Sequence, residues 1–180
     1  GGTVEPDYRY PWGERMNGCH GVLIDPQWVL TAAHCVYIGL FIDHVFYSRT
    51  DPYTGVVQEE TRLTFKDRQP TPGVYIHPMY SNTSQRGGVN DIALIKLAQP
   101  FTLNPYIQTV GLPRSPRQQG VVGTVASAST PGQNAIFRAP IPLVEVPPPG
   151  PVFVIYASAA SSALLCPGDS GSGFVTVENG

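Results

Sequence analysis

The segment Leu164-Leu165-Cys166-Pro167-Gly168-Asp169-Ser170-Gly171-Ser172-Gly173 holds the residues best suited to chemistry. A serine stands between an aspartate and a glycine, with a second glycine two positions before it. Glycine adopts backbone angles that a β-carbon forbids, so the run can hold a tight turn. Such a turn lifts a hydroxyl into a cleft and aims successive backbone N–H groups at one point. Acyl transfer needs that combination of a nucleophilic oxygen and a preformed oxyanion pocket. Clusters of Gly, Ser and Asp also form ordinary turns, so the motif gains meaning only from the elements around it.

Those elements are strands and turns. The chain has 180 residues, 42% hydrophobic and 13% charged, enough for one large domain or two small ones with a real core. Nineteen glycines and nineteen prolines argue against a helical protein and for many short strands. A net charge of -2 leaves no basic footprint for nucleic acid. No apolar run approaches the length of a membrane span, and the chain does not open on the basic-then-apolar pattern of a signal peptide.

Three cysteines, Cys19, Cys35 and Cys166, leave at least one without a partner inside the chain. No Cys-x-x-Cys occurs and the four histidines are scattered, so no metal-site pattern is present. Cys19 and Cys35 bracket a compact segment. As a disulfide they would contribute about 3 kcal/mol through loop closure and imply an oxidising compartment; buried free thiols are the alternative.

Along the chain, residues 1–17 read as loop. Strands are expected at 21–24 and 28–31, joined at Asp25-Pro26, then at 40–47, 55–57, 61–65, 74–77 and 92–97. Asn82-Thr83-Ser84 matches a glycosylation sequon. Residues 100–117, with prolines at 100, 105, 113 and 116, read as a connector between two halves. The second half offers strands at 121–126, 141–146, 152–157 and 174–177, interrupted by the proline run 147–151.

Three motifs then fall in a telling order: Thr31-Ala32-Ala33-His34-Cys35, Asp91-Ile92-Ala93-Leu94 and Gly168-Asp169-Ser170-Gly171. Together with Trp28-Val29-Leu30, His77-Pro78-Met79-Tyr80, Gly1-Gly2 and Pro11-Trp12, they make the chain resemble the trypsin/chymotrypsin family of serine endopeptidases over nearly its whole length. The resemblance implies an all-β fold of two six-stranded antiparallel barrels, one over residues 1–107 carrying His34 and Asp91, the other over 108–180 carrying Ser170. It implies a catalytic triad: Ser170 as nucleophile, His34 as general base, and Asp91 fixing the imidazole tautomer. The N–H groups of Gly168 and Ser170 would form the oxyanion hole, and Cys19–Cys35 would be a disulfide pinning the loop of His34. No cofactor or metal is implied. The implied partners are a protein or peptide substrate and a protein inhibitor, and the implied protein is a secreted, extracellular monomer. Asn17, Gly18, His20, His44 and His77 are left as structural or surface residues.

Where trypsin-like relatives place an acid at the base of the primary pocket, this chain has Leu164, followed by Leu165. The expectation is a preference for apolar or small residues at the cleaved position, not for Arg or Lys. The chain also departs from the family at its ends. It begins at Gly1, so an amino terminus reaching Asp169 is not expected; a buried carboxylate left unpaired at that position would cost about 3–5 kcal/mol. It ends at Gly180, before two expected strands and a helix, which leaves the second barrel incomplete and Cys166 without its usual partner. These features read as a trimmed fragment of a longer secreted protein. Two other readings fit the same motifs: a catalytically silent homologue acting as a binding module, and an esterase-like hydrolase.

Overall fold

The computed structural model describes residues 3–5, 11–16, 18–37, 44–50, 57–63, 73–82, 89–114, 122–127, 136–146, 154–157 and 168–176. Among them the regular secondary structure is almost entirely strand. The strands are β1 (Thr3–Glu5), β2 (Gly13–Met16), β3 (Cys19–Asp25), β4 (Trp28–Thr31), β5 (His44–Thr50), β6 (Val57–Leu63), β7 (Val74–Ile76), β8 (Ala93–Lys96), β9 (Val122–Ser127), β10 (Ile136–Val146), β11 (Val154–Ala157) and β12 (Phe174–Val175). A four-residue helix, α1 (His34–Tyr37), follows β4.

The strands form two antiparallel sheets. Seven lie in the order β6-β5-β2-β3-β4-β8-β7, and five in the other sheet, ordered β1-β10-β9-β12 with β11 also paired to β10. The β3–β4 hairpin turns at Pro26-Gln27, where Gln27 N–H donates to the Asp25 carboxylate at 3.0 Å. This closes the Asx-type turn that Asp25-Pro26 announces in the sequence. Trp28 faces Lys96 across the β4–β8 ladder, and the ammonium lies 5.6 Å from the indole centroid.

Two expectations need correction. Residues 1–17 are not all loop: β1 pairs with β10 at Thr3↔Arg138, and β2 pairs with β3 at Arg15↔His20. Three or four residues without a clear apolar alternation give no local strand signal, so it is the partner strand that recruits them. Residues 55–57 and 61–65 are not two strands; β6 runs unbroken over Val57–Leu63, paired with β5 from His44↔Leu63 to Thr50↔Val57. β10 also extends through Pro140 and Pro142. These two residues share a parity, and over 139–142 the strand pairs with β9 alone, so the missing N–H groups need interrupt only one side.

The core sits under the first sheet. Leu23, Val29, Cys35, Ile95 and Leu97 are fully buried, joined by Met16, Cys19, Phe101 and Ile107, with Trp12 and Tyr106 packed at its margin. The connector lies along this sheet. Asn104 Oδ1 accepts from Tyr106 N–H and Ile107 N–H, and Val110 N–H donates to Leu23 O. The disulfide Cys19–Cys35 ties the start of β3 to α1 inside this core. With a separation of 16 residues, replacing both cysteines by alanine is expected to lower stability by about 3 kcal/mol, measured by urea unfolding.

Candidate active site

His34 opens α1 directly after the turn that ends β4. Ala33 is fully buried, and its carbonyl accepts from both Val36 N–H and Tyr37 N–H, so the small residues before the histidine let the chain turn closely against the core. A helix start leaves N–H groups without intrahelical partners. One of them, His34 N–H, donates to Asp91 Oδ1 at 2.8 Å. The other carboxylate oxygen, Oδ2, lies 2.6 Å from His34 Nδ1. Asp91 thus holds the histidine at backbone and ring together, across 57 positions of sequence. A carboxylate accepts hydrogen bonds, so Nδ1 carries a proton and Nε2 of the neutral ring is left with its lone pair.

Asp91 is aimed by the bend ahead of β8. Asn90 adopts the left-handed conformation at φ 54°, one that asparagine tolerates better than most residues. Its side chain donates to Met79 O at 3.0 Å, and Ile92 N–H donates back to Asn90 O at 2.8 Å. The next residue, Ala93, enters the β4–β8 ladder opposite Thr31. The strand that ends near the histidine and the strand that begins near the aspartate are therefore hydrogen-bonded neighbours.

Tyr80 lies on the same side. Its ring packs edge-on against Tyr37, with centroids 5.1 Å apart. Its hydroxyl is buried and, among the described residues, has no hydrogen-bond partner. Burial, then the negative charge of Asp91, then Tyr37 raise its pKa above the ordinary phenol value. It stays a neutral phenol beside the carboxylate. Removing an unpartnered buried hydroxyl relieves a desolvation cost, so Tyr80→Phe is expected to raise stability by about 1 kcal/mol in thermal unfolding.

The Ser170 turn docks on the neighbouring strand β3. Ser170 O accepts from His20 N–H at 2.7 Å, and Ser172 N–H donates to Asp169 O at 3.0 Å. Gly168 and Gly171 both have positive φ, 101° and 82°. A β-carbon at 171 would fall inside the His20 carbonyl oxygen and stand 2.5 Å from Thr31 Oγ1, so only glycine fits there. Among the described residues no hydrogen bond joins Ser170 Oγ to His34, whose Nε2 lies 3.8 Å from Cys35 Sγ. The two cysteine sulfurs and a ring nitrogen of His34 lie within 4.8 Å of one another, but sulfurs bonded to each other offer no thiolate to a metal.

Of the remaining sequence candidates, Leu164, Leu165, Cys166, Asn17 and Gly1 lie outside the described residues, as does the side chain of His44. Asn82 is exposed, and His77 Nδ1 accepts from Met79 N–H in a surface turn. His20 is the residue that sequence reading undervalues. It is buried, and its ring reaches Gly168 O across 148 positions. The Cys-His-Gly step that contains it carries no motif that signals this contact.

No helix among the described residues is long and apolar enough to cross a membrane. A family model described as Trypsin matches residues 1–179. Brachyurin of Leptuca pugilator is 36% identical over 124 residues, covering 67% of this chain and 49% of that protein. Serine protease SSP1 of Scolopendra subspinipes is 26% identical over 205 residues, covering all of this chain and 68% of its own. Trypsin-2 of Salmo salar is 33% identical over 134 residues, covering 71% of this chain and 52% of its own. The chain thus spans from about half to about two thirds of the length of these relatives. With the family model matched nearly end to end, and the cysteine pair, the strand-rich fold and the His34–Asp91 pair in hand, the chain belongs to the trypsin family.

Proposed function

We propose that this chain carries the catalytic machinery of a serine endopeptidase, acting through His34, Asp91 and Ser170. The observation that carries the reading is the double grip of Asp91 on His34, through Nδ1 and through the backbone N–H. A proton held on Nδ1 leaves Nε2 free to take the proton of Ser170 Oγ as that oxygen attacks a peptide carbonyl. The tetrahedral intermediate places its oxyanion at the N–H groups of Gly168 and Ser170. The imidazolium, stabilised by Asp91, then protonates the leaving amine, and water hydrolyses the acyl-enzyme by the same route. Hydrogen bonds of this kind tighten on substrate binding, so the unmade Ser170–His34 bond is compatible with the reading.

In this proposal the two sheets belong to two barrels over residues 1–107 and 108–180, except that β1 crosses to pair with β10 in the second, and the cleft lies between them. Leu164 and Leu165 favour an apolar or small residue at the cleaved position. The closed disulfide supports an oxidising, extracellular setting. The test is a fluorophosphonate probe. Covalent labelling of Ser170, lost in His34→Ala, supports the hydrolase. A second reading, a silent homologue that binds partners through the same cleft, draws on the lack of a hydrogen bond between Ser170 Oγ and His34 among the described residues. It is favoured if no label is incorporated, while a peptide scan with strong cleavage after Arg would overturn the specificity.

A further inference from the structure

We propose that His20 is the positioning residue of the oxyanion turn, its imidazole acting as a fixed clamp on the Gly168 carbonyl. This rests on the hydrolase reading for its consequence in catalysis, but not for the contact itself. His20 is 7% exposed, and its Nδ1 lies 2.6 Å from Gly168 O. A carbonyl only accepts, so Nδ1–H donates.

The same residue holds the turn at two further points. Its N–H donates to Ser170 O at 2.7 Å, and its carbonyl lies where a side chain at Gly171 would have to go. That carbonyl is itself fixed by Thr31 Oγ1, which donates to it at 2.7 Å. Backbone contacts of this type are open to any residue at position 20. The contact at Gly168 needs a side chain with a donor at the distance of Nδ1.

The clamp acts where the turn is otherwise least constrained. Gly168 has φ 101°, a region glycine enters freely, and a β-carbon built there would meet nothing within 4 Å. Among the described residues no side chain packs where that β-carbon would stand. Rotation of the peptide plane after Gly168 would swing its neighbours and separate the N–H groups of Gly168 and Ser170, which must converge on one oxygen. A hydrogen bond to the Gly168 carbonyl opposes that rotation and keeps the pocket preorganised before substrate arrives. His20 touches no reacting atom, so its effect belongs to the transition state and falls on kcat more than on KM.

The test compares His20→Phe, which keeps an aromatic ring without the donor, with His20→Asn, whose amide nitrogen reaches the Nδ1 position. His20→Gln, whose amide reaches the Nε2 position, is the third member. His20→Phe and His20→Gln are expected to lower kcat for a peptide substrate by about tenfold to a hundredfold with KM within about twofold. His20→Asn is expected to recover most of the loss. Amide hydrogen exchange over residues 168–173 should rise in the Phe and Gln variants and stay near wild type in Asn. Equal kcat and equal exchange in all four proteins would overturn the proposal, as would an Asn variant that falls as far as Gln. If His20→Phe fails to fold, Asn against Gln decides. If wild type takes no fluorophosphonate label, the hydrolase reading falls, and exchange alone then decides the clamp: protection restored by Asn and not by Gln supports it, and equal protection overturns it.

Discussion

Asp91→Asn is expected to lower kcat by about 10⁴-fold, the size seen for this carboxylate-to-amide change in Ser-His-Asp enzymes, with KM little changed. The geometry here supplies a specific reason. Asp91 accepts two hydrogen bonds from His34, one from the backbone N–H at 2.8 Å and one at the ring Nδ1 at 2.6 Å. An amide side chain offers one oxygen and one NH₂ group. The backbone N–H can only donate, so it claims the oxygen, and the NH₂ then faces Nδ1. That orientation requires Nδ1 to accept, which moves the ring proton to Nε2. A histidine protonated at Nε2 cannot take the proton of Ser170. Peptide hydrolysis and the rate of fluorophosphonate labelling should fall together, while thermal unfolding stays close to wild type because both hydrogen bonds survive with reversed polarity at one of them. Activity within tenfold of wild type would show that Asp91 does not set the tautomer.

Gly171→Ala is the second large effect, and it should reach stability as well as rate. The new methyl group has no room: it falls on the His20 carbonyl oxygen and within 2.5 Å of Thr31 Oγ1. Neither neighbour can yield cheaply, since one is backbone in β3 and the other is buried and bonded to that same carbonyl. The residue also sits at φ 82°, strained for alanine. Overpacking and positive φ each cost about 1–3 kcal/mol. The simplest relief is for the turn to swing away from β3, which breaks the bond from His20 N–H to Ser170 O and carries the Ser170 hydroxyl, the proposed nucleophile, with it. A loss of at least about a hundredfold in kcat is expected, of the order of losing one oxyanion donor. Gly168→Ala is the control. It has a comparable positive φ but meets nothing within 4 Å, so the difference between the two variants in denaturant unfolding isolates the collision. Equal losses in both would mean that the close approach at Gly171 is unimportant.

Much of this molecule is legible in its sequence because the relevant instructions are local. Asp25-Pro26 marks the hairpin turn, and the apolar runs on either side become β3 and β4. The cysteine pair and the family membership also follow from short motifs and their order. Where the local code is weak, the prediction fails in a consistent way. β1 and β2 are too short and too polar to announce themselves, and they are strands because β10 and β3 supply their partners. β6 is continuous because seven residue pairs with β5 outweigh the polar centre of its own sequence.

The sequence by itself determines which side chains are present and in what order: a histidine after alanines, an aspartate before an apolar strand, a serine among glycines. It also determines where the chain can bend, because Asn90, Gly168 and Gly171 accept angles that other residues resist. Only the tertiary structure decides that the ends of β4 and β8 lie side by side, so that Asp91 meets both the ring and the backbone of His34. It alone brings His20 to Gly168, at a separation of 148 residues. A hydrogen bond a few ångströms long leaves no trace in residue spacing when its partners are set by the pairing of distant strands.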